Sequence, residues 1–299
     1  MARLSGQDAS STMIDAEIDE IEHKLQIDNR RGAVHWIEIF TGPRMLYRTL
    51  LGMVLQAGQQ LTGVNFFFYY GTTIFRSTGI DNSYITAIIL ATVNVVATIG
   101  GLWLIKNCGR RRILMVGAAC MCVGFLVYAF VGTYALDSQN PMSTPIAGTV
   151  LIVFTCLVIA AFAVSWGPLV WTIVSELYPA RYRAPCMAFA TSSNWIFNFL
   201  ISFCTTFITD KVHYFYGLVF AAACVALCML VYFFVIESKD RSLEEIDTMY
   251  LLHINPRTSA KWDPKELVTG GAIFDNAETR RRIGKSARGE KSVLIHSHY

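Results

Sequence analysis

The apolar residues of this chain fall into six long runs, and the charged residues between Met45 and Ile236 lie at the edges of those runs. A hydrocarbon core about 30 Å thick needs roughly 20 helical residues at a rise of about 1.5 Å each. The runs that reach this length span about 46–75, 83–105, 113–135, 147–176, 186–209 and 214–236. We therefore predict an all-α membrane protein with six transmembrane helices, of which the first and fourth are long enough to be tilted or broken.

Composition supports a membrane protein and excludes several other classes. Of 299 residues, 54% are hydrophobic and only 16% are charged, against about 25% charged in soluble domains. A net charge of +3 gives no concentrated basic face for nucleic acid. The eight cysteines show no CxxC pair, and no HExxH, nucleophile–base pair or phosphate-binding glycine loop is present. We expect no metal, no cofactor and no enzymatic activity.

The basic residues near the ends of the runs indicate the orientation of the chain. Only Arg76 and Lys211 lie on one side. The opposite side carries Arg44, Arg48, Lys106, Arg110, Arg111, Arg112, Arg181, Arg183, Lys239 and Arg241. Because cytoplasmic loops are enriched in lysine and arginine, both termini are predicted to be cytoplasmic. Independently of this charge pattern, the plasma membrane is the expected location.

Two polar segments flank the predicted bundle of residues 45–236. Residues 1–44 contain an amphipathic pattern at about 13–27, which predicts a helix on the lipid surface or against another cytoplasmic part. Residues 237–299 begin with a Ser242–Glu245 capping box, which predicts a second short helix. The tail from about Arg257 is predicted to be disordered, and docking of its basic residues on anionic lipid is the alternative.

Several uncharged polar side chains lie deep within the predicted spans. An unpaired amide in hydrocarbon costs several kcal/mol, so each needs a partner or a water-lined cavity. They are Gln56, Gln59, Gln60 and Asn65 in the first run, Asn94 in the second, and Asn194 and Asn198 in the fifth. They either hold helices together or line a cavity for a neutral, hydroxyl-rich ligand. The interleaved aromatic residues and the absence of a carboxylate or lysine deep in a span favour the cavity.

Two of the runs contain residues that interrupt helices. Gly63 precedes Asn65 in the first run, and Gly167–Pro168 removes a backbone donor in the fourth. A simple kink is one interpretation; a pair of half-helices that move as gates at a transporter binding site is the other. The aromatic run Phe66–Tyr70 would then form a lid outside the polar cluster.

Five motifs in this order resemble the sugar-porter family of the major facilitator superfamily, specifically the C-terminal half of a fungal-type hexose transporter. They are Gln59–Asn65 with the aromatic run after it, Gly109–Arg112, Gly167–Trp171 leading into Ser175–Pro179, Ser193–Trp195, and Glu237–Ile246. Together they extend over about residues 30–250. The sequence departs from the family at Ala163, where many relatives have glutamate, and at Ile236 and Asp240 in the last motif.

The resemblance implies roles for individual residues. Sugar-binding residues would be Gln59, Gln60, Asn65, Asn94, Trp171 and Asn194, with Asn198 and Phe162 lining the same cavity and Trp195 packed beside it. Gating residues would be Tyr69 and Tyr70 at the outer side, with Gly167 and Pro168 at the interrupted helix. A cytoplasmic charge network would contain Arg110, Arg111, Glu176, Glu237 and Arg241, in which both arginines pair with Glu176.

The resemblance also implies a twelve-span fold of which this chain supplies one six-helix half-bundle. The partners would be a sugar, the lipid bilayer and a missing N-terminal six-helix half, and the acidic residue of proton-coupled relatives would lie in that half. The expected function is transport of a monosaccharide, such as the hexose glucose, by alternating access, either facilitated or proton-coupled. A non-transporting sugar sensor on the same scaffold and an inactive fragment are the alternatives.

Overall fold

A computed structural model describes residues 36–76, 82–137 and 143–262, and every regular element in these ranges is helical. The helices are α1 (Glu38–Thr41), α2 (Met45–Leu61), α3 (Val64–Arg76), α4 (Ser83–Asn107), α5 (Arg110–Tyr134), α6 (Pro145–Val164), α7 (Trp166–Leu177), α8 (Ala180–Val212), α9 (Tyr216–Phe234) and α10 (Leu243–Leu251). Short 3-10 turns occupy His213–Phe215 and Ser259–Lys261. The amphipathic helix predicted near 13–27 lies outside the described residues.

Four helical segments in the described ranges are long and apolar enough to cross a membrane. They are Tyr84–Asn107, Arg110–Tyr134, Pro145–Leu177 and His213–Phe234. The α2–α3 pair is divided into two short helices, and α8 interleaves its apolar residues with serine, threonine and asparagine. Six spans therefore remain a prediction, of which four have this direct support.

The two expected interruptions are observed. Between α2 and α3, Gly63 has a φ of +76°, a left-handed conformation that glycine adopts at little cost. Between α6 and α7, Ser165 leaves helical geometry with φ −118° and ψ −87°. The second break falls just before Gly167–Pro168, because Pro168 in the first turn of α7 has no N–H to donate to the α6 carbonyl four residues earlier.

The aromatic run after Gly63 is mainly core rather than lid. The Phe66 and Phe67 side chains are 1% and 0% exposed, and the Phe67 ring stacks on Phe125 with centroids 5.0 Å apart. Only Phe68 in this part of the run is described as exposed. Successive residues of an α-helix point about 100° apart, so five consecutive aromatic residues cannot all face one opening. The backbones of Tyr69 and Tyr70 lie in α3, and their side chains are outside the described set.

The segment after α9 folds back onto the bundle. The predicted Ser242–Glu245 capping box is present at the start of α10. Arg48 of α2 is only 1% exposed; its guanidinium binds the Asp247 carboxylate and lies 4.8 Å from the centre of the Tyr250 ring. Burial raises the pKa of the Tyr250 phenol above its ordinary value.

Order extends further into the tail than the prediction of disorder from about Arg257. Ser259 is fully buried, and its Oγ accepts a hydrogen bond of 3.0 Å from the Glu237 backbone N–H. The Arg241 guanidinium donates to the Trp262 carbonyl at 2.6 Å. Hydrogen bonds to backbone groups hold this polar segment in place. Such bonds could not be predicted from the composition of the segment.

Candidate functional site

The amides of α2 and α8 form one hydrogen-bonded network, and Asn194 is its buried centre. The Asn194 side chain is 4% exposed, and its Nδ2 donates to Gln56 Oε1 at 2.7 Å and to Gln59 Oε1 at 2.8 Å. Its Oδ1 accepts from Gln60 Nε2 at 2.8 Å. One α8 side chain thus pairs with three glutamines spaced along one stretch of α2. These bonds join the two helices, which is the structural role that the sequence left open for such amides.

The other side of the network is half-exposed. Gln60 Oε1 accepts from Asn65 Nδ2 at 2.6 Å and from Asn198 Nδ2 at 3.3 Å. Within the described ranges, the side-chain Oδ1 atoms of Asn65 and Asn198 receive no hydrogen bond, and each of the three side-chain amides retains a second N–H. Gln60, Asn65 and Asn198 therefore form an amide edge that offers both donors and acceptors.

The network also contacts the interrupted helix. Gln59 Nε2 donates to the carbonyls of Trp166 at 2.8 Å and Gly167 at 2.9 Å, in the first turn of α7. A Cβ built on Gly167 would lie 3.3 Å from the Phe162 ring, so this half-buried ring packs against the same turn. The predicted residues Gln59, Gly167 and Phe162 thus meet at the α6–α7 break.

Three residues that were expected in or beside the site make no hydrogen bond to the amide network within the described ranges. On α4, the Asn94 Oδ1 accepts a hydrogen bond of 3.3 Å from the hydroxyl of Thr98, one turn away on the same helix. Trp171 is 38% exposed and Trp195 is 66% exposed. Trp195 points about 100° away from buried Asn194 on α8, and its packing beside the cavity stays a prediction.

The charge network at one end of the bundle differs in part from the expected one. Arg110 lies 3.2 Å from Glu176, with side chains 21% and 19% exposed. Arg111, which was expected to share Glu176, instead donates to the Tyr232 carbonyl at 2.6 Å and lies 5.1 Å from the Tyr232 ring centre. Consecutive helical residues diverge by about 100°, so the two arginines reach different partners.

The remaining two members of that network bind backbone groups. Glu237 accepts from the Arg111 N–H at 3.2 Å, at the N-terminus of α5 where unpaired amides favour an anion. Arg241 donates to the carbonyls of Ser259 and Trp262. Within the described ranges, Glu237 and Arg241 both bind Ser259, and they stabilise the folded-back tail rather than pair with each other.

Comparison with known proteins identifies the family. The sequence profile described as "Sugar (and other) transporter" matches residues 1–250. The chain belongs to this transporter family.

Two proteins that are similar to this chain are fungal transporters. The high-affinity fructose transporter ght6 of Schizosaccharomyces pombe is 40% identical over 98% of the chain and 53% of its own length. The low-affinity glucose transporter of Kluyveromyces lactis is 40% identical over 92% of the chain and 49% of its own length. The chain thus spans about half the length of these curated relatives.

Solved structures agree on the fold. A double tryptophan mutant of XylE is similar with a TM-score of 0.63 and 26% identity, over 80% of this chain and 49% of that one. The inward-open xylose transporter XylE from E. coli gives a TM-score of 0.59 and 23% identity, over 81% and 47%. Because its identity is only 23%, the second match supports the fold alone. This fold is that of a major facilitator transporter.

Two further residues, Gln56 and Trp166, support the site from buried positions. Gln56 is fully buried, and its Nε2 has no partner within the described ranges although its Oε1 binds Asn194. Trp166 is also fully buried and donates from Nε1 to the Leu114 carbonyl at 2.9 Å, which fixes the start of α7 against α5. The sequence placed Gln56 among the polar groups deep in the first run, one helical turn before Gln60. It gave no signal for the partner of Trp166, because that partner is a backbone carbonyl on another helix.

Proposed function

We propose that this chain provides one half of a hexose transport pathway. The amide edge of Gln60, Asn65 and Asn198 carries the proposal, because it is half-exposed and presents unused donors and acceptors beside two interrupted helices. A sugar hydroxyl both donates and accepts, so this edge matches a polyol better than an ion. The relatives named as glucose and fructose transporters support a hexose.

The buried amides play a different part in the proposal. Asn194 and Gln59 hold α2, α8 and α7 together, so they position the edge and extend it to the α6–α7 break. Phe162, Gly167 and Pro168 lie at that break, where a movement of α7 would change access to the sugar. Transporters place discontinuous helices of this kind at their binding sites and move one bundle against another around the substrate.

The opposite wall of the pathway would come from a second six-helix bundle. Trp171 and Asn94 lie outside the amide network, and we propose that they line the sugar only when that bundle is in place. Tyr69 and Tyr70 are proposed as the outer gate, and Arg110 with Glu176 as an ion pair that is made in one transport state. Even a fully exposed ion pair contributes about 0–1 kcal/mol, and an energy of this size is enough to bias two states of similar energy.

Uptake by the assembled pathway tests the proposal. The chain would be reconstituted in liposomes with the part of the Kluyveromyces lactis glucose transporter that precedes its matched region, and labelled glucose uptake measured. We expect uptake that falls about three- to tenfold in Asn198→Ala, the effect of one lost hydrogen bond. Asn107→Ala removes an exposed amide at the end of α4 and is the matched control.

Three outcomes separate the alternatives. Uptake that is reduced by Asn198→Ala and unchanged by Asn107→Ala supports the pathway. Uptake that is indifferent to both substitutions contradicts the role of the amide edge. Saturable glucose binding without any uptake would instead favour a sugar sensor on the same scaffold.

A further inference from the structure

The break between α6 and α7 is flanked by glycines of two neighbouring helices. On α5, a Cβ added to Gly117 would collide with the Oγ of Ser165 and lie 2.5 Å from its Cβ. On α4, a Cβ added to Gly101 would lie 2.9 Å from the Cα of Val164 and 3.4 Å from its carbonyl oxygen. Small residues let helices approach one another closely within a membrane. Both glycines therefore leave space that Val164 and Ser165 occupy.

Ser165 is held at the break by its own hydrogen bonds. The residue is only 1% exposed. Its Oγ donates to the Ala161 carbonyl at 2.5 Å, and its backbone N–H donates to the Phe162 carbonyl at 3.0 Å. A break inside an apolar span frees backbone carbonyls, and a serine hydroxyl is one of the groups that can bind them. Because the Cβ of Ser165 would also lie 2.5 Å from the added atom, rotation of the hydroxyl would not relieve a collision with a side chain at Gly117.

The same stretch of α5 also holds the start of α7. Trp166 is fully buried, and its Nε1 donates at 2.9 Å to the carbonyl of Leu114, which lies within one helical turn of Gly117. On α2, Gln59 Nε2 donates to the carbonyls of Trp166 and Gly167. The contacts of α5 thus fix where α7 begins, and the Gln59 contact joins this start to the amide network.

We propose that Gly117 is a positioning residue for transport, because its missing side chain leaves the space in which Ser165 serves as the pivot of α7. This role rests on the proposed transport function, in which a movement of α7 changes access to the sugar. Gly117 lies on α5, whereas the amide edge is built from α2, α3 and α8. A side chain at Gly117 should therefore slow the movement of α7 and leave the binding of sugar nearly unchanged.

Hydrogen–deuterium exchange of the full chain in detergent tests the contact without transport. The variants are Gly117→Ala and, as the control, Gly100→Ala on α4, where an added Cβ meets nothing within 4 Å. We expect Gly117→Ala to speed exchange of the first-turn amides of α7 by about threefold, because displacement of Ser165 loosens that turn. Gly100→Ala should leave this exchange unchanged. Unchanged exchange in Gly117→Ala would overturn the proposal.

A compensating substitution tests whether Ser165 is the residue that Gly117 accommodates. Ser165→Gly removes both side-chain atoms that the added methyl of Gly117→Ala would meet. Gly117→Ala should therefore change the exchange of α7 strongly in the wild type and little in Ser165→Gly. Equal effects in both backgrounds would assign the glycine to general packing and overturn the pivot. Should Gly117→Ala fail to fold, recovery of folded protein in the double variant supports the contact, and a lack of recovery contradicts it.

Uptake and binding, measured separately in the reconstituted pathway, test the role in transport. We expect Gly117→Ala to lower the rate of glucose uptake about five- to tenfold and to change equilibrium glucose binding by less than about twofold. Parallel losses of uptake and binding would assign Gly117 to the sugar site and overturn the positioning role. Normal uptake in Gly117→Ala, beside reduced uptake in Asn198→Ala, would overturn this role and leave the proposed function standing. No uptake by the wild type would overturn both.

Discussion

Asn194 and Asn198 lie one turn apart on α8, yet their surroundings give them different roles. Asn194 is buried and makes hydrogen bonds to Gln56, Gln59 and Gln60. Asn198 is half-exposed and makes one long hydrogen bond to Gln60. A buried amide whose partners are removed leaves unsatisfied groups in a medium of low polarity, whereas a half-exposed one leaves groups that water can reach.

Substitution of these two residues should therefore affect stability unequally. Asn194→Ala strands polar groups on three glutamines and should lower the free energy of unfolding by about 1–3 kcal/mol. Asn198→Ala should change it by less than about 0.5 kcal/mol. Thermal unfolding of the purified chain in detergent measures both. Equal shifts in the two unfolding midpoints would show that the division into a buried centre and an exposed edge is wrong.

Sequence reasoning found these amides because polar groups deep in an apolar run are conspicuous. It could not say which of them satisfy one another, since that depends on the rotation and spacing of α2 against α8. The same limit explains the error at Arg111. Two adjacent arginines looked equivalent in sequence, but the helix directs one to Glu176 and the other to the end of α9.

At the scale of elements, the break between α2 and α3 depends on the conformation and size of Gly63. Its φ is +76°, and a Cβ there would collide with the Phe220 ring and lie 2.9 Å from Phe125. The close approach lets the buried rings of α3, α5 and α9 pack beneath the break. Only glycine meets both requirements.

A pair of glycine substitutions tests this interpretation. Gly63→Ala should destabilise by about 1–2 kcal/mol from the left-handed backbone alone, and further from the ring contacts. Gly100→Ala on α4, where an added Cβ meets nothing within 4 Å, should be neutral or stabilise by up to about 1 kcal/mol. Unfolding midpoints of the two variants give the comparison, and a stable Gly63→Ala protein would contradict a left-handed requirement.

The packing of α10 on the bundle depends on one buried arginine. Arg48 binds both the carboxylate and the backbone carbonyl of Asp247, and its guanidinium covers Tyr250. Ile246 and Met249 of α10 are buried as well. The sequence predicted α10 from its capping box. It identified Arg48 only as one of the basic residues that indicate orientation, because its partner Asp247 lies 199 positions further along the chain.

Removal of the Asp247 carboxylate should loosen α10. We expect Asp247→Ala to cost about 1–3 kcal/mol, because it leaves the Arg48 guanidinium with fewer acceptors in a buried position. Limited trypsin digestion should then cleave faster after Arg241. Glu244 is an exposed acidic residue on the same helix, so Glu244→Ala is the control. This variant should be cleaved after Arg241 at the wild-type rate. A similar rate in both variants would argue against the buried pair as the anchor.

At the scale of the whole molecule, the basic residues collect at one end of the bundle. That end holds the α4–α5 turn with Lys106 and Arg110–Arg112, and the folded-back tail. The opposite end includes the start of α6 near Ser143. By the distribution of basic residues, we predict that the first end faces the cytoplasm.

Chemical labelling from each side of the membrane tests this orientation. Cys108 lies in the α4–α5 turn and is free and partly exposed. A membrane-impermeant maleimide should modify it in inside-out vesicles and not in intact cells, as read by peptide mapping. A cysteine introduced by Ser143→Cys should show the reverse. Labelling of Cys108 in intact cells would invert the proposed orientation.

The sequence by itself determined the apolar runs, the two interruptions, the capping box of α10 and the family. Each of these is encoded locally, in run length, in glycine or proline, in residue spacing or in ordered motifs. Only the tertiary structure decided which amides are buried and which form an open edge, that Phe66 and Phe67 belong to the core, and that Arg111 and Arg48 bind groups far along the chain. Those outcomes depend on how the helices rotate and pack against one another, and contacts between distant segments leave no local pattern in a single sequence.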